Sequence, residues 1–526
     1  MKFKLKIKPT TLNFISNLCA FLITYSISFF LSPYIVGVLG EDAYGFVSLA
    51  TNFTNYISLA TVALNSLASR FISIAIFEGD MAKAKKYYTS VLIANAIITA
   101  ILLIFCLVFI IFLEYILTIP TDLVIDVKVL FGTIFAGFFI SLFSSLFSVG
   151  VFVENKLYLT AAVNAIGAII RLTFTLLLFL IFPAKIAYVG AVTLLINMNT
   201  LFWQYFFKRK FLPDLKVEKK SFDGSKIKEL LKAGSWSLVG QLSGILNTGL
   251  DLLIANEFID PNAMGVLAIS ATLPTIIQSV LSSVSSSFTP NLTKAYAKGD
   301  FESLMKDMRS SIHMMGLVLI VPLAGLTAFG SDFYALWQPT QDSQTLQILS
   351  VLKILCLIFT ASLSVVHEIF VVANKLKAQA IATLISGIVN IIIVYILLKT
   401  TNLGIFAIAG VSSIIAVVRN FAFTFPYAAK CVKQKWYVFY GLSLRAFASY
   451  AIIVGLFYLT RFFIYTPKSW GAFIIECGIC GLIGLILNAL MISSKAEIKD
   501  LFLKIAKIKN KFIKKKIEAG DSNEKS

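Results

Sequence analysis

The chain has 526 residues, of which 58% are hydrophobic and 14% are charged, and its mean hydropathy is +0.86. A soluble domain of this length cannot bury so large an apolar fraction, so the composition excludes a soluble globular protein and indicates an integral membrane protein. The net charge of +19 requires no nucleic-acid partner, because Lys and Arg also collect on the cytoplasmic loops of membrane proteins.

About fourteen continuous apolar stretches are long enough to cross a bilayer core as helices, whereas a membrane β-barrel would show short alternating segments. The sequence therefore predicts an all-α integral membrane protein. The first six predicted spans are residues 12–39, 43–77, 88–113, 127–153, 157–181 and 186–207. The next six are residues 231–258, 263–290, 309–330, 346–372, 377–398 and 405–429, and the last two are 441–463 and 470–493.

Short motifs recur at an interval of about 220 residues, which indicates that the chain is an internal duplication. The paired motifs are Asp42-Ala43-Tyr44-Gly45 with Asn262-Ala263-Met264-Gly265, Gly79-Asp80 with Gly299-Asp300, and Val153-Glu154-Asn155-Lys156-Leu157 with Val372-Ala373-Asn374-Lys375-Leu376. Each copy holds six spans, and an even number keeps both copies in one orientation, with a site expected between them. We predict a six-helix lobe over 1–207, a cytoplasmic linker over 208–230, a second six-helix lobe over 231–430, two additional transmembrane helices over 441–493, and a basic cytoplasmic tail over 494–526.

The distribution of basic residues predicts the orientation of the chain. About 36 of the 46 Lys and Arg residues fall on the termini and on the even-numbered loops, including the block from Lys208 to Lys232. Because such residues collect on the cytoplasmic side, we expect both termini inside. In the tail, apolar residues from Ile498 to Ile513 share one helical face and lysines supply the other, which predicts an interfacial helix on anionic lipids.

The sequence carries little that an enzyme would need. It has no Gly-rich phosphate loop followed by Lys, no histidine cluster with metal-ligand spacing, and no large soluble domain. Five of the six cysteines fall within spans, so we expect no disulfide scaffold, and Cys477-x-x-Cys480 is better explained by packing than by redox or metal chemistry. We therefore expect no enzyme activity, no cofactor and no metal.

Polar residues inside the spans are the first candidates for function, because lipid tails cannot solvate them. Two spans carry stripes at helical spacing: Ser48, Thr51, Asn55, Ser58, Asn65 and Ser69 in span two, and Thr272, Thr275, Ser279, Ser282, Ser286 and Thr289 in span eight. Small hydroxylated residues also allow membrane helices to pack closely. Because the stripes occupy corresponding places in the two copies, we favour the walls of a hydrophilic cavity, to which span seven adds Gln241.

Two arginines lie deep in their spans, roughly 22 Å from the end at which each span begins. Arg171 is in span five and Arg419 is in span twelve. The repeat offset pairs Arg171 with Asn390 and Arg419 with Asn199, so each half contributes one arginine and one asparagine. Guanidinium stays charged and binds phosphate with two hydrogen bonds, so this set suits an anionic ligand such as a diphosphate. A buried pair with a carboxylate is the alternative for each arginine.

Three further ionisable residues in the spans are candidates. Arg70 is near the inner end of span two, where its side chain can reach the interface or contact substrate. Asp251 in span seven and Lys353 in span ten both lie about 10 Å from the outer end of their spans. They can pair with one another or serve ion coupling, and the carboxylate is the better candidate for binding a proton or sodium.

The chain resembles the Wzx-type polysaccharide flippases of the multidrug/oligosaccharidyl-lipid/polysaccharide exporter (MOP) superfamily over nearly its whole length. The resemblance rests on Ser32-Pro33-Tyr34, Gly40-Glu41-Asp42-Ala43-Tyr44-Gly45 and Ser69-Arg70-Phe71 with Gly79-Asp80, and on the echo at Gly265 and Gly299-Asp300. It implies two six-helix lobes that alternate between inward-open and outward-open states in the bacterial cell membrane. It also implies transport of an undecaprenyl-diphosphate-linked oligosaccharide from the inner to the outer leaflet, driven by an ion gradient, with a polysaccharide polymerase or glycosyltransferases as partners.

Three other classes remain open from the sequence. A multidrug antiporter of the same superfamily would share the repeat, but twelve spans and acidic cation-binding residues are usual there. A peptidoglycan-precursor flippase would share fourteen spans, but its family places several arginines in spans one and two, and span one here has none. A scaffold without transport activity would not need matching polar faces in the two halves.

Overall fold

The computed structural model describes residues 9–463 and 469–492, and these residues form helices and no strand. This confirms the predicted all-α fold class. The predicted interfacial helix of the tail lies outside the described residues. The helices are α1 Pro9–Leu39, α2 Glu41–Asn65, α3 Ala68–Phe77, α4 Met81–Ile111, α5 Leu113–Ile116, α6 Val124–Phe147, α7 Val149–Val153, α8 Leu157–Ile181, α9 Ile186–Phe211, α10 Gly224–Gly244, α11 Asp251–Phe258, α12 Pro261–Ser270, α13 Thr272–Ser286, α14 Thr289–Ala297, α15 Phe301–Trp337, α16 Ser343–Thr360, α17 Val365–Val372, α18 Leu376–Thr400, α19 Ile405–Arg419, α20 Phe425–Cys431, α21 Val438–Phe463 and α22 Trp470–Ile492.

Thirteen segments of the described chain are long and apolar enough to span a membrane, and a fourteenth is added if one bent pair of helices is counted as one span. The bent pair is Gly224–Gly249 with Asp251–Phe258, which meet at 42°. The prediction of about fourteen spans is therefore confirmed. A π-helical turn over Ile245–Gly249 lies at the bend, and another over Asn420–Thr424 joins α19 to α20. Such turns interrupt the regular hydrogen bonding of a helix and often occur at functional sites.

Several predicted spans differ from the observed helices at their ends. The predicted span 43–77 is two helices, because the regular helix is interrupted at 66–67. The predicted span 309–330 lies within the much longer α15, and the span 88–113 begins seven residues earlier, at Met81. Hydropathy marks only the part of a helix that lies in lipid, whereas helices continue into the polar region where caps and exposed charges stabilise them.

The paired sequence motifs adopt the same turns. Gly79 and Gly299 both have positive φ values, 78° and 70°, and the following aspartates, Asp80 and Asp300, each accept a hydrogen bond from the backbone N–H three residues later. Asn155 and Asn374 also match, with φ of 52° and 54°. Glycine and asparagine are the residues that tolerate this left-handed conformation. The turns support the interpretation of the chain as a duplication.

The chain folds as two compact units. Unit 1 comprises Met1–Ile276, Trp337–Lys353 and Leu376–Ile415, and unit 2 comprises Ile277–Leu336, Ile354–Lys375 and Ala416–Ser526. Both units therefore take helices from the lobe predicted over 231–430. The two predicted lobes remain an interpretation of the repeat.

Among the described residues of unit 1, helices α6 and α9 form the most extensive helix contact. Gly190 of α9 allows this close approach, because a Cβ atom there would lie 2.2 Å from Thr133 Oγ1. The core beside this pair contains Phe46, Leu49 and Phe131, all with no exposed surface. It anchors α2, the helix that carries the first polar stripe, on one side.

Within unit 2 the helices beyond the repeat are tied to α15 by buried polar contacts. Asn488 of α22 donates a hydrogen bond to Gly316 O at 3.0 Å and accepts one from Ser449 Oγ of α21 at 2.9 Å. Tyr450 and Thr327 share a hydrogen bond between their hydroxyls at 2.7 Å. Since lipid supplies no hydrogen bonds, these contacts fix the position of α21 and α22 against α15.

Candidate functional site

Helix α2 is the centre of the contacts between the two sequence copies in unit 1, because it packs against both α10 and α12. Three glycines make these contacts close. A Cβ atom on Gly234 of α10 would lie 1.9 Å from Ala63 O, and one on Gly265 of α12 would lie 2.3 Å from Glu41 O. A Cβ atom on Gly45 would lie 3.0 Å from the backbone of Gly265. The repeated glycines of the two copies therefore touch one another.

Hydrogen bonds reinforce the same contact. At one end of α2, Glu41 accepts from Asn262 Nδ2 at 2.6 Å and from Gln341 Nε2 at 2.9 Å. In the middle of the helix, Tyr56 donates to Gly249 O at 2.5 Å, in the π-helical turn. Tyr56 was not among the predicted site residues, although its place beside Asn55 on a polar helix was a signal. These bonds hold α2 against the second copy at two levels.

The predicted polar stripes lie partly on exposed surface. Thr51 and Asn55 of α2 are exposed, and so are Thr275 and Ser282 of α13. Ser58 of α2 accepts a hydrogen bond of 3.4 Å from Gln241 Nε2 of α10. The structure therefore places Gln241 at a helix contact, while much of both stripes is left unburied. Their role as cavity walls stays a prediction.

Asn65 occupies a helix contact rather than an open surface. Its amide exchanges two hydrogen bonds with the amide of Asn95 in α4, at 3.0 and 2.9 Å, and also donates to Thr61 O. Asn95 has no exposed surface. Reciprocal bonds of this kind satisfy both amides in a medium without water. Sequence reasoning missed Asn95, since it stands alone among the apolar residues of its span.

Arg171 is half-buried in α8 and forms no ion pair or hydrogen bond with any residue that the structure describes. Its guanidinium interacts electrostatically with Tyr44 at the start of α2. It is ten residues, about 15 Å, from the end of α8. The alternative of a buried carboxylate partner finds no support in the described residues. Arg171 is therefore a charged group within a predicted span that has no ion-pair partner among the described residues.

Arg419 is the last residue of α19, directly before the π-helical turn of unit 2. It is half-buried, and it interacts electrostatically with Cys356 and His367. The next residue, Asn420, donates a hydrogen bond to Cys356 Sγ at 3.4 Å. The π turn thus places a charged and a polar side chain at the place where the helix is irregular.

The two repeat-related asparagines have different surroundings. Asn390 of α18 is buried and donates to Leu246 O and Asn247 O at 3.2 and 3.0 Å, so it binds the π-helical turn of unit 1. Asn199 of α9 has a buried Nδ2 atom without a hydrogen-bond partner in the described structure. Asn390 thus has a structural contact, whereas Asn199 keeps an unused donor. Arg70, the remaining candidate, is exposed in α3.

Asp251 and Lys353 form a buried ion pair with a distance of 3.1 Å between Oδ2 and Nζ. The side chains are 7% and 13% exposed. Asp251 begins α11 directly after the bend. Ser413 of α19 donates a hydrogen bond of 3.0 Å from its Oγ to the backbone oxygen of Lys353. The structure therefore brings together the two residues that were expected either to pair or to bind an ion.

Comparison with known proteins identifies the family. The family model described as "Polysaccharide biosynthesis protein" matches residues 11–296, and the MatE model matches residues 239–396. The chain belongs to the polysaccharide biosynthesis protein family. It is 30% identical over 429 residues to the "Uncharacterized membrane protein EpsK" of Bacillus subtilis (strain 168), a match that covers 82% of this chain and 85% of that protein. The predicted resemblance to Wzx-type flippases of the MOP superfamily is confirmed.

Solved structures confirm the fold of this polysaccharide biosynthesis family member. A structure of the lipid II flippase MurJ in an inward closed conformation superposes with a TM-score of 0.68 at 17% identity, covering 91% of this chain and 98% of that one. A MATE family multidrug resistance transporter of the MOP superfamily in an inward-facing conformation gives 0.64 at 15% identity, covering 85% and 99%. The protein is a multi-pass membrane protein of the polysaccharide biosynthesis family, and the two solved structures that share its fold are a lipid II flippase and a multidrug resistance transporter.

Proposed function

We propose that this protein moves an undecaprenyl-diphosphate-linked oligosaccharide from the inner to the outer leaflet of the bacterial cell membrane, with both termini in the cytoplasm. The family, polysaccharide biosynthesis, supports a glycan as cargo. The observation that carries the proposal further is Arg171, a guanidinium in mid-span without a carboxylate partner in the described residues. A charge at such depth is costly unless it pairs or meets a ligand.

The chemistry of Arg171 fits a diphosphate better than an organic cation. Guanidinium stays charged at any physiological pH and offers parallel N–H groups that match two phosphate oxygens. An organic cation would be repelled by the same group. Arg419 and the unused donor of Asn199 are further proposed contacts with the polar part of the substrate, and Arg70, Asn55, Asn65, Gln241 and Asn390 complete the proposed substrate set.

The sugar and the lipid tail would need surfaces of opposite character. The exposed hydroxyls and amides of the stripe on α2 suit a glycan, because they offer donors and acceptors along one face. On another face of α2, an apolar groove of about 380 Å³ is lined by Phe53, Tyr56, Phe105, Phe109 and Phe135, among others. We propose that part of the prenyl chain lies in this groove while the headgroup contacts the stripe.

We propose that the Asp251–Lys353 pair couples transport to an ion gradient. The two charges balance one another, so a proton or sodium ion can bind Asp251 only when Lys353 moves away. The pair stands next to the bend between α10 and α11, where a change in helix geometry would separate the two side chains. Leaving one charge of a buried ion pair without its partner raises the free energy of the protein. Binding of an ion to Asp251 would therefore be linked to a change of conformation.

The experiment is translocation of a fluorescent undecaprenyl-diphosphate oligosaccharide in reconstituted vesicles, read by accessibility to a quencher, with and without an ion gradient. Arg171→Ala should reduce transport at limiting substrate by about tenfold or more, since charge-assisted hydrogen bonds contribute about 1.5–3 kcal/mol. Arg171→Lys should restore only part of the activity, because lysine keeps the charge but not the paired N–H groups. Arg209→Ala, an exposed arginine at the end of α9, is the matched control and should transport normally.

The MatE match over residues 239–396 gives a second candidate, export of an organic cation. The same vesicles separate the two. Transport of a fluorescent organic cation without transport of the diphosphate lipid would replace the proposed function by drug export. Transport of a lipid that carries a peptidoglycan precursor, at the expense of the oligosaccharide, would assign the protein to precursor flipping. Wild-type transport by Arg171→Ala would remove this arginine from the substrate site.

A further inference from the structure

An apolar groove lies beside the bend between α10 and α11 in unit 1. Helix α18 passes the bend without a break and is bound to the π-helical turn by the amide of Asn390. Beyond that contact α11 takes a new direction, because it meets the preceding helix at 42°. The facing sides of α11 and α18 then border a groove of about 340 Å³. It is lined by Ile254 and Phe258 of α11 and by five residues between Ile391 and Leu398 of α18.

The groove is too narrow to hold a protein helix. Its wall on α18 runs from Ile391 to Leu398, which is about 11 Å at 1.5 Å per residue. A volume of about 340 Å³ over that length corresponds to a slot roughly 6 Å across. An α-helix with its side chains is about 10–12 Å across, so a helix of a second copy cannot lie inside it. The occupant that fits along its whole length is a single extended hydrocarbon chain.

One end of the groove carries a positive charge. Tyr395 and Lys399 are one helical turn apart on α18, and both lie beside Phe258 of α11. The rings of Phe258 and Tyr395 meet edge to face with their centroids 5.8 Å apart, and Lys399 Nζ is 5.8 Å from the centroid of the Phe258 ring. This cation–π contact holds the ammonium at the mouth of the groove. Both Tyr395 and Lys399 are exposed there.

The charge of Lys399 has no carboxylate partner among the residues that the structure describes. Two acidic residues stand at the same end of α11, and both bind backbone N–H groups instead. Glu257 accepts from Thr118 N at 3.1 Å, and Asp260 accepts from Ala263 N at 2.6 Å. An anionic group that enters the mouth of the groove would therefore supply a counter-charge that the described protein does not.

The groove on α2 provides a contrast within the same unit. Lys128 lies near it, because its Nζ donates to Ile111 O at 3.1 Å, two residues after Phe109 in the wall of that groove. This lysine is already paired with Glu114 at 2.7 Å. Of the two grooves, the one between α11 and α18 thus combines an apolar slot for one chain with a lysine that lacks a counter-ion.

We propose that an anionic phospholipid binds unit 1 at this place, with one acyl chain in the groove between α11 and α18 and its phosphate at Lys399 and Tyr395. The ammonium and the phenol hydroxyl both donate hydrogen bonds that phosphate oxygens accept. With both termini in the cytoplasm, as proposed above, the site lies in the outer leaflet. It is separate from Arg171 and does not depend on which lipid the protein transports.

The test is photo-crosslinking of the full-length protein in phosphatidylcholine vesicles, with labelled peptides identified by mass spectrometry. Two probes carry the same diazirine acyl chain, one on phosphatidylglycerol and one on phosphatidylcholine. The phosphatidylglycerol probe should label the groove residues about fivefold more strongly, as expected for one lysine facing an anionic lipid. Lys399→Gln should abolish this preference and Lys399→Arg should keep it. Ile254→Trp fills the groove and should reduce labelling by both probes.

Lys128→Gln is the matched control, because it removes a lysine near the other groove and should leave the preference unchanged. All variants are compared with the wild type by gel filtration and thermal unfolding, and the exposed position of Lys399 makes its substitution compatible with folding. Equal labelling by the two probes would mean ordinary contact with bilayer lipid and would overturn the proposal, as would a preference that survives in Lys399→Gln.

Two other occupants are also distinguished. Crosslinks between two copies of the protein at the groove would assign it to a protein interface and overturn the lipid proposal. The same holds if an undecaprenyl-diphosphate oligosaccharide displaces the phosphatidylglycerol probe while unlabelled phosphatidylglycerol at the same concentration does not. That result would assign the groove to the transported lipid, whereas displacement by phosphatidylglycerol supports the proposal whether or not the protein transports the oligosaccharide.

Discussion

The close approach of α10 to α2 at Gly234 gives the sharpest prediction. A Cβ atom at Gly234 would lie 1.9 Å from Ala63 O, whereas ordinary contact begins at 3.4 Å, so Gly234→Ala requires α2 and α10 to separate by about 1.5 Å. The clashing atom is a backbone carbonyl, so no change of a side-chain rotamer relieves it. Overpacking of this kind costs about 1–3 kcal/mol.

Gly240→Ala on the same helix is the matched control, because nothing lies within 4 Å of its Cβ position. Both substitutions gain the same helix propensity, about 1 kcal/mol, so the difference between the two variants isolates the clash. We expect Gly234→Ala to melt a few °C below Gly240→Ala. The measurement is thermal unfolding of the purified protein with a thiol-reactive dye that reports exposure of the buried cysteines, Cys106 and Cys480.

The two variants should also differ in function, since α2 carries the polar stripe and is held against the second copy through this contact. Transport in vesicles should fall for Gly234→Ala and stay at the wild-type level for Gly240→Ala. Equal melting temperatures for the two variants would refute the reasoning. They would mean that α2 and α10 do not approach as closely as the structure shows.

Three further predictions concern buried polar pairs. Lys353→Met leaves Asp251 unpaired and should destabilise the protein by about 3–5 kcal/mol, whereas Lys353→Met with Asp251→Asn should recover most of the loss in thermal unfolding. Asn65→Leu should cost about 1–3 kcal/mol because it orphans the amide of Asn95, and the double variant Asn65→Leu/Asn95→Leu should be closer to the wild type. Asn488→Leu removes the hydrogen bonds that tie α22 to α15 and should therefore increase proteolysis within α22. Equal cleavage of the variant and the wild type would contradict this prediction.

How far the sequence predicts the fold can be judged from its local signals. Hydropathy located the helices because a bilayer of fixed thickness requires about 20 apolar residues in each span. The motifs at Gly79-Asp80 and Gly299-Asp300 were recognisable as equivalent because their turns are made by local hydrogen bonds and by the freedom of glycine to adopt positive φ. Where helix ends depend on caps and on exposed charges rather than on lipid, as at Met81, the prediction was several residues in error.

The candidate site was less accessible to sequence reasoning. Arg171, Asp251 and Lys353 could be singled out because charges are rare in spans. The pairing of Asp251 with Lys353 was one of two alternatives from the sequence, and it is decided by helix rotation and by the bend at the π-helical turn. Asn390 illustrates this, since the repeat suggested a place beside a ligand and the structure places it against the backbone of Leu246.

By itself the sequence determined that the chain folds in a membrane. It also determined the approximate number of spans, the internal duplication and the family resemblance. All of these follow from composition and local pattern. Only the tertiary structure decided that Asp251 meets Lys353 while Arg171 meets no carboxylate among the described residues, and that Asp332 pairs with Arg461. The physical reason is that a lipid-embedded charge is stabilised or left unbalanced by groups far away in sequence, which only the packing of helices brings within reach.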